Sequence, residues 1–328
     1  METDFSLLKQ LFCIHSMSGK EGKMRKFIWN WIKQNVPSAS VTCDKPGNLY
    51  VTKGESETYP CIVAHLDQVQ ERHAKDFKAY ESEDIIIGFS SRHCEQQGLG
   101  ADDKCGIWIG LKCLQEFEAI KLAFFVGEEI GCKGSSAADM EFFTDCRFVI
   151  EPDRRGHKDI ITQIGWQQLC SEEFLQDTGY EDFGYKVTDG LMTDIEALKE
   201  NGLGVSCINL SCGYYKPHTD QEFVYKPALL NCLDLVRHII GTCTKVYTHI
   251  DNDSLYDNWE QYYSDYYDEL YDLMATYPGL DFGDVEILME ERHGVINRDE
   301  LLAAYDFVRD DIAFWHEQQE KETTKVLT

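Results

Sequence analysis

Gly98-Leu-Gly-Ala-Asp-Asp-Lys-Cys-Gly-Ile-Trp-Ile-Gly110 is the stretch on which the reading of this chain turns. Two adjacent carboxylates, Asp102 and Asp103, follow a glycine-bearing turn and open a helix with apolar positions at Ile107, Trp108, Ile109, Leu111 and Leu114. Aspartates so placed can cap a helix, because they accept its free N–H groups and complement its dipole. The residues on either side point to a second use. His65 and Asp67, Glu128 and Glu129, Asp153 and then His218 recur at strand ends. Two histidines with several carboxylates suit a hard-to-borderline divalent metal such as zinc. A carboxylate has two oxygens and can bridge two ions, and a pair about 3.5–4 Å apart is a known hydrolytic device.

The flanking elements set the fold class. Residues 4–14 and about 20–34 carry apolar side chains at helical spacing, and 41–53 reads as a hairpin about the turn-rich Asp44-Lys-Pro-Gly-Asn48. Cys61-Ile-Val-Ala-His65, residues 121–126 and residues 147–150 are short apolar runs of buried-strand type, with two more strand-like pieces within 76–90. Helix, strand and helix follow at 191–200, 205–210 and 228–240. This alternation predicts an α/β fold, a mostly parallel, mixed sheet sandwiched by helices. In such sheets chemistry gathers at the carboxyl ends of the strands. His65, Glu128, Asp153 and, after a loop, His218 each fall just beyond a predicted strand.

Composition narrows the partners. The 328 residues carry a formal charge of −27, which argues against nucleic acid or an anionic membrane as partner. No stretch approaches membrane-spanning length. The opening Met1-Glu-Thr-Asp-Phe5 has no basic region followed by an apolar run. Thirteen cysteines, an odd number with no CxxC pair, read as reduced thiols, so the expected location is cytoplasmic. The charge is uneven: residues 251–328 hold 21 acidic and 5 basic side chains. The expected division is a catalytic domain over 1–245 and an acidic, aromatic-rich helical extension over 246–328.

Each site residue has its own logic. His65 and Asp67 are two apart, so on an extended segment both face one way, and Asp67 can accept the ring N–H not used for metal. Glu128 and Glu129 are adjacent, and neighbouring side chains diverge, so one can bind metal while the other faces a bound water. Asp153 follows a proline that stiffens its backbone. Arg154 and Arg155 can hold a substrate carboxylate bidentately. Asp194 can receive a substrate α-amino group or cap the helix that follows it.

Taken in order, His65-Leu-Asp67, Gly-Ala-Asp102-Asp-Lys, Glu128-Glu-Ile-Gly, Glu-Pro-Asp153 and Gly-Tyr-Tyr-Lys-Pro-His218-Thr-Asp-Gln-Glu resemble the motifs of the co-catalytic zinc exopeptidases. That clan holds peptidase T, bacterial zinc aminopeptidases and the aminoacylase and carboxypeptidase relatives. Ser-Gly-Lys-Glu at 18–21, Pro-Gly-Asn-Leu at 46–49 and Thr193-Asp194 before a helix add to the likeness, which spans about residues 4–243. The resemblance implies two divalent ions, zinc first with cobalt or manganese as alternatives, and Asp102 as their shared ligand. One ion would add His65 and Asp153, the other Glu129 and His218. Glu128 would be the general base and Asp67 the residue that orients His65. Where relatives insert a lid domain, between the matches to Asp153 and His218, this chain has only 64 residues. The expectation is a catalytic core without a lid.

Three functions follow from these residues: an aminopeptidase acting on short peptides, an amidohydrolase or deacylase of N-acyl amino acids with the same metals, and an inactive metal-stabilised binding protein. In the extension, Leu255, Trp259, Tyr262, Tyr266, Leu270 and Leu273 share a helical face. Leu301, Tyr305, Val308, Ile312 and Trp315 mark a second helix after the capping box Asn297-Arg-Asp-Glu300.

Overall fold

A run of apolar residues in a strand with both faces covered is what a central sheet strand requires, and 59–65 shows it. Ile62 and Ala64 join the core on one face of the sheet while Cys61 and Val63 join the core on the other. Leu122 and Phe124 divide from Ala123 and Phe125 in the same way. The structure, a computed structural model, describes residues 4–165 and 167–250. Beyond them it describes 270, 273–274, 276–277, 280–293, 298, 301–302, 305 and 308–309. The chain divides into two units, 1–251 and 252–328.

The first unit opens with α1 (Ser6–Phe12), α2 (Gly22–Asn35) and the strands β1 (Ser40–Cys43), β2 (Leu49–Lys53) and β3 (Tyr59–His65). Three short strands follow, β4 (Phe77–Glu81), β5 (Ile85–Ser90) and β6 (Glu95–Gln97), then α3 (Ala101–Glu116) and β7 (Ile120–Phe125). After α4 (Lys133–Ser136) come β8 (Cys146–Arg154), β9 (Asp159–Ile164), β10 (Gln167–Gln168), α5 (Glu172–Asp177) and β11 (Lys186–Gly190). The unit ends with α6 (Asp194–Glu200), β12 (Cys207–Ser211), β13 (Tyr214–Tyr215), β14 (Phe223–Tyr225) and α7 (Lys226–Thr242).

Among the described residues the main sheet has 9 strands in the order β1-β2-β7-β3-β8-β12-β9-β10, with β11 beside β9. Its centre is parallel, β7 on β3, β3 on β8 and β8 on β12, so those strands end on one side. The margins are antiparallel, through β1–β2–β7 on one flank and β12–β9–β10 on the other. The α/β reading with a mixed sheet therefore holds, with the parallel pairings at its centre. A smaller sheet joins β13, β14, β5 and β4, with β6 on β5.

One expectation needs correction, and the lidless core fits the strands that follow. The third apolar strand does not stop at Ile150: β8 runs through Glu151, Pro152 and Asp153 to Arg154, because Ser211 of β12 still pairs with Arg154. The described residues from 154 to 217 also build β9 to β12 and their covering helices, so that stretch is part of the main layered core. Its Ile160 and Ile161 face opposite cores, which marks β9 as a strand covered on both sides.

In the second unit a helix over Phe282–His293 is present where the sequence reading had none. Leu270, Leu273, Met274, Val285, Met289, Leu301 and Val308 share one apolar cluster. Most of the expected helix from Leu255 to Leu273, and Ile312 and Trp315 of the second, lie outside the described residues. All thirteen cysteines are free thiols. Among the described residues no helix is long and apolar enough to cross a membrane.

Candidate metal centre

The parallel strands deliver their ends to one place. His65 is the last residue of β3 and Asp67 stands two positions beyond it, both fully buried. Asp67 Oδ1 faces His65 Nδ1 at 3.4 Å. The same Oδ1 accepts the backbone N–H of Glu128 at 3.1 Å, and Oδ2 accepts that of Glu129 at 3.3 Å and the Ser18 hydroxyl at 2.7 Å. Glu128 and Glu129 lie in a short 3-10 turn after β7, flanked by Gly127 and Gly131 in the left-handed region. Asp153 comes from β8 itself, and its backbone N–H is received by Asn209 Oδ1 at 3.1 Å.

The paired aspartates divide the work. Helical geometry fails at Asp102 (φ −74°, ψ 102°) and Asp103 (φ −117°, ψ 41°), so the regular helix starts after both. Asp103 is the cap: its Oδ1 accepts the N–H of Gly106 at 2.8 Å. Asp102 turns instead to the histidines. Its Oδ1 is 3.0 Å from His65 Nε2 and its Oδ2 is 3.3 Å from His218 Nε2. His218 belongs to the small sheet, on the β13–β14 connection, and has a positive φ of 63°.

Around this shared carboxylate stand His65, Asp102 and Asp153 on one side and Asp102, Glu129 and His218 on the other. Within each group one ligand atom per residue lies within 4.8 Å of the others. Asp153 Oδ2 is 3.6 Å from His65 Nε2, and Glu129 Oε2 is 3.1 Å from His218 Nε2. His65, Glu128 and Glu129 satisfy the same distance test, with Glu128 Oε2 at 3.8 Å from His65 Nε2. The approach to His218 distinguishes Glu129 from its neighbour.

Burial and like charge dominate the electrostatics of this arrangement. Burial alone would lower the His65 pKa, yet Asp153, Asp102, Asp67 and Glu128 together hold it well above its usual value. Hydrogen bonds to Asp102 and Glu129 raise His218 to about 10. Burial, then Asp194, Asp102 and Glu129, pushes Glu128 up to about 8 against the pull of His65. Burial and the carboxylates of Asp102 and Asp103 raise Asp153 well above the carboxylate range. Asp102 and Asp67 go the other way, Asp102 lowered despite burial by its bonds to the two histidines and Asp67 by its contact with His65. Anions crowded out of water need positive charge nearby, which a cation held among these carboxylates would supply. Among the described residues the buried Glu129 Oε1 has no hydrogen-bond partner. Two imidazoles with oxygen donors fit a divalent ion such as zinc.

The other sequence candidates stand outside the ligand groups. Arg154 Nε is 3.6 Å from Asp159 Oδ2, and Arg155, just beyond the end of β8, is exposed. Asp194 is fully buried, and its Oδ1 accepts the Ser135 hydroxyl at 2.5 Å. None of the three enters the groups around Asp102. Sequence reasoning passed over supporting residues: Ser18 on Asp67, Asn209 on Asp153, and Tyr214, whose hydroxyl donates to Asp153 Oδ1 at 3.2 Å. Tyr214 stands in the quoted Gly-Tyr-Tyr-Lys-Pro-His motif, and that was the available signal.

No protein-family model matches this chain, and no curated protein matches it. Solved structures do share its fold. Aminopeptidase PepT from Bacillus cereus ATCC 10987 superposes with a TM-score of 0.57 at 15% identity, over 73% of this chain and 98% of that one. A tripeptidase from Staphylococcus aureus subsp. aureus mu50 gives 0.59 at 15% identity, over 71% and 95%. An aminopeptidase from the archaeon Desulfurococcus kamchatkensis gives 0.55 at 17% identity, over 72% and 94%. The fold is thus that of solved aminopeptidases and tripeptidases.

Proposed function

We propose that this protein is a two-metal hydrolase of amide bonds, an aminopeptidase acting on short peptides. The observation that carries the reading is the division of Asp102, one oxygen toward His65 and the other toward His218. His65, Asp102 and Asp153 would hold one ion, and Asp102, Glu129 and His218 the other. A bound pair of divalent ions supplies Lewis acidity to the scissile carbonyl and acidity to a water. The shared fold with solved aminopeptidases supports this reading.

The chain's own residues do the remaining work. Glu128 takes the proton of the attacking water and returns it to the leaving amine. Burial and like charges push Glu128 up to about 8, and positive charge placed in the two ligand groups acts in the opposite direction. Asp67 orients the His65 ring and, through two backbone N–H groups, the segment that presents Glu128. Zinc is the proposed metal, with cobalt or manganese as substitutes, and the free thiols suit a reducing cytoplasm.

The test is a panel of aminoacyl amides, di- and tripeptides and N-acyl amino acids, run with zinc-loaded wild type and Glu128→Gln. Turnover of the aminoacyl substrates that disappears in the variant supports the aminopeptidase. Turnover confined to N-acyl substrates would make the protein a deacylase. A fully metal-loaded wild type with no turnover on any member would overturn the enzyme reading in favour of a binding protein.

A further inference from the structure

The turn that presents Asp102 is held by a carboxylate outside both ligand groups. Glu222, four residues beyond His218, is completely buried. Its Oε2 accepts the N–H of Gly100 at 2.7 Å, and its Oε1 accepts those of Ala101 at 3.1 Å and Asp102 at 3.4 Å. Free backbone donors at the start of a helix attract an anion, and an ionised acceptor makes the stronger bonds.

A buried polar chain stands behind this clamp. Gln70 Nε2 donates to Glu222 Oε2 at 3.3 Å and Gln68 Nε2 donates to Gln70 Oε1 at 3.0 Å. The buried Lys104 ammonium donates to Gln68 Oε1 at 2.5 Å and to the Leu99 carbonyl at 3.0 Å. The turn itself is tight: a Cβ on Gly100, at φ +60°, would come within 2.7 Å of Gln68, and one on Gly98 within 2.6 Å of Gln70.

We propose that Glu222 is a positioning residue for Asp102. It sets, through the backbone of 100–102, where the two oxygens of the shared carboxylate point. Because one short segment supplies both His218 and Glu222, the clamp also sets the spacing between His218 and Asp102. The proposal rests on the two-metal reading above. A purely structural glutamate would stabilise the fold without affecting how ions are held.

The experiment titrates Co(II) into the full-length chain stripped by chelator, following d–d absorption and, separately, the melting temperature before metal is added. Wild type should take up two ions. Glu222→Gln keeps one carbonyl acceptor and should bind at least one ion about 10–100-fold more weakly, with shifted d–d bands at saturation, the usual range for losing an outer support. Glu222→Ala should lose more. Gln70→Ala, which removes only the donor behind the clamp, should lose less and serves if the alanine variant does not fold. Two ions in wild type with unchanged affinity and spectrum in Glu222→Gln, whatever its melting temperature, would overturn the proposal and leave the metal reading standing. No Co(II) uptake by wild type would overturn the metal reading and this proposal with it.

Discussion

Asp67 faces His65 and also receives the backbone N–H of Glu128 at 3.1 Å, so one carboxylate orients a candidate ligand and anchors the candidate base. The Ser18 hydroxyl holds its other oxygen at 2.7 Å. A single side chain thereby joins the end of β3, the turn after β7 and the segment between α1 and α2.

The first prediction concerns that hub. In Asp67→Asn an amide N–H₂ must replace one carboxylate oxygen, although both oxygens now accept N–H donors. Zinc affinity, measured by competition with a chromophoric chelator, should fall by roughly 10–100-fold. Ser18→Ala should lose affinity in the same direction and by less. An unchanged zinc affinity in Asp67→Asn would remove its proposed role.

Glu128→Gln separates binding from chemistry. The variant should keep its zinc while kcat falls by roughly 10²–10⁴-fold, the range for a lost general base. Metal content and kcat on the same preparation check this. Loss of zinc in parallel with activity would make Glu128 a ligand, as its 3.8 Å approach to His65 permits.

Gly213 sets the start of the hairpin that carries His218. Its φ is +91°, and an added Cβ would lie 2.5 Å from the backbone nitrogen of Leu229 in α7, where no side chain can move aside. Gly213→Ala should therefore destabilise the protein by about 1–3 kcal/mol in denaturant unfolding. Wild-type stability in this variant would show that the hairpin can shift freely.

His73 provides a pH test away from the ligand groups. It stacks on His15 and lies tilted against Phe77, and burial, with Lys104 and His15, lowers its pKa from 6.5 to about 4. Unfolded His73 gains a proton near pH 6.5 while the folded residue waits until about 4. The unfolded state then binds more protons in this window, and stability falls as the pH drops through it. Denaturant unfolding at pH 7.5 and pH 5 should show a smaller loss in His73→Phe than in wild type. Equal losses would contradict the assignment.

The candidate ligands were readable in the sequence because each combines metal-binding chemistry with a strand end, as at His65, Glu129 and Asp153. The choice of Asp102 over Asp103 came from the resemblance alone, since both are aspartates at one helix start and only backbone angles send one to the cap and the other to the histidines. Glu222 and Ser18 escaped for a related reason. Both stand in stretches that carry the resemblance, 18–21 and 213–222, but they act on backbone N–H groups or on another carboxylate, so residue type and spacing do not show their role. The extent of β8 was hidden by Pro152, which reads as a turn until β12 is seen to pair alongside. β9 went unread because polar Thr162 and Gln163 interrupt its apolar run, and β10 and β11 because Gln167-Gln168 and Lys186-Val-Thr-Asp-Gly190 offer one apolar residue between them.

The most direct test of the central claim is anomalous diffraction at the zinc edge from crystals of the zinc-loaded protein. Two peaks about 3.5–4 Å apart, one between His65 and Asp153, the other between Glu129 and His218, with Asp102 touching both, is the expected result. A single peak, or zinc bound away from Asp102, would contradict the claim that this carboxylate is shared by two ions.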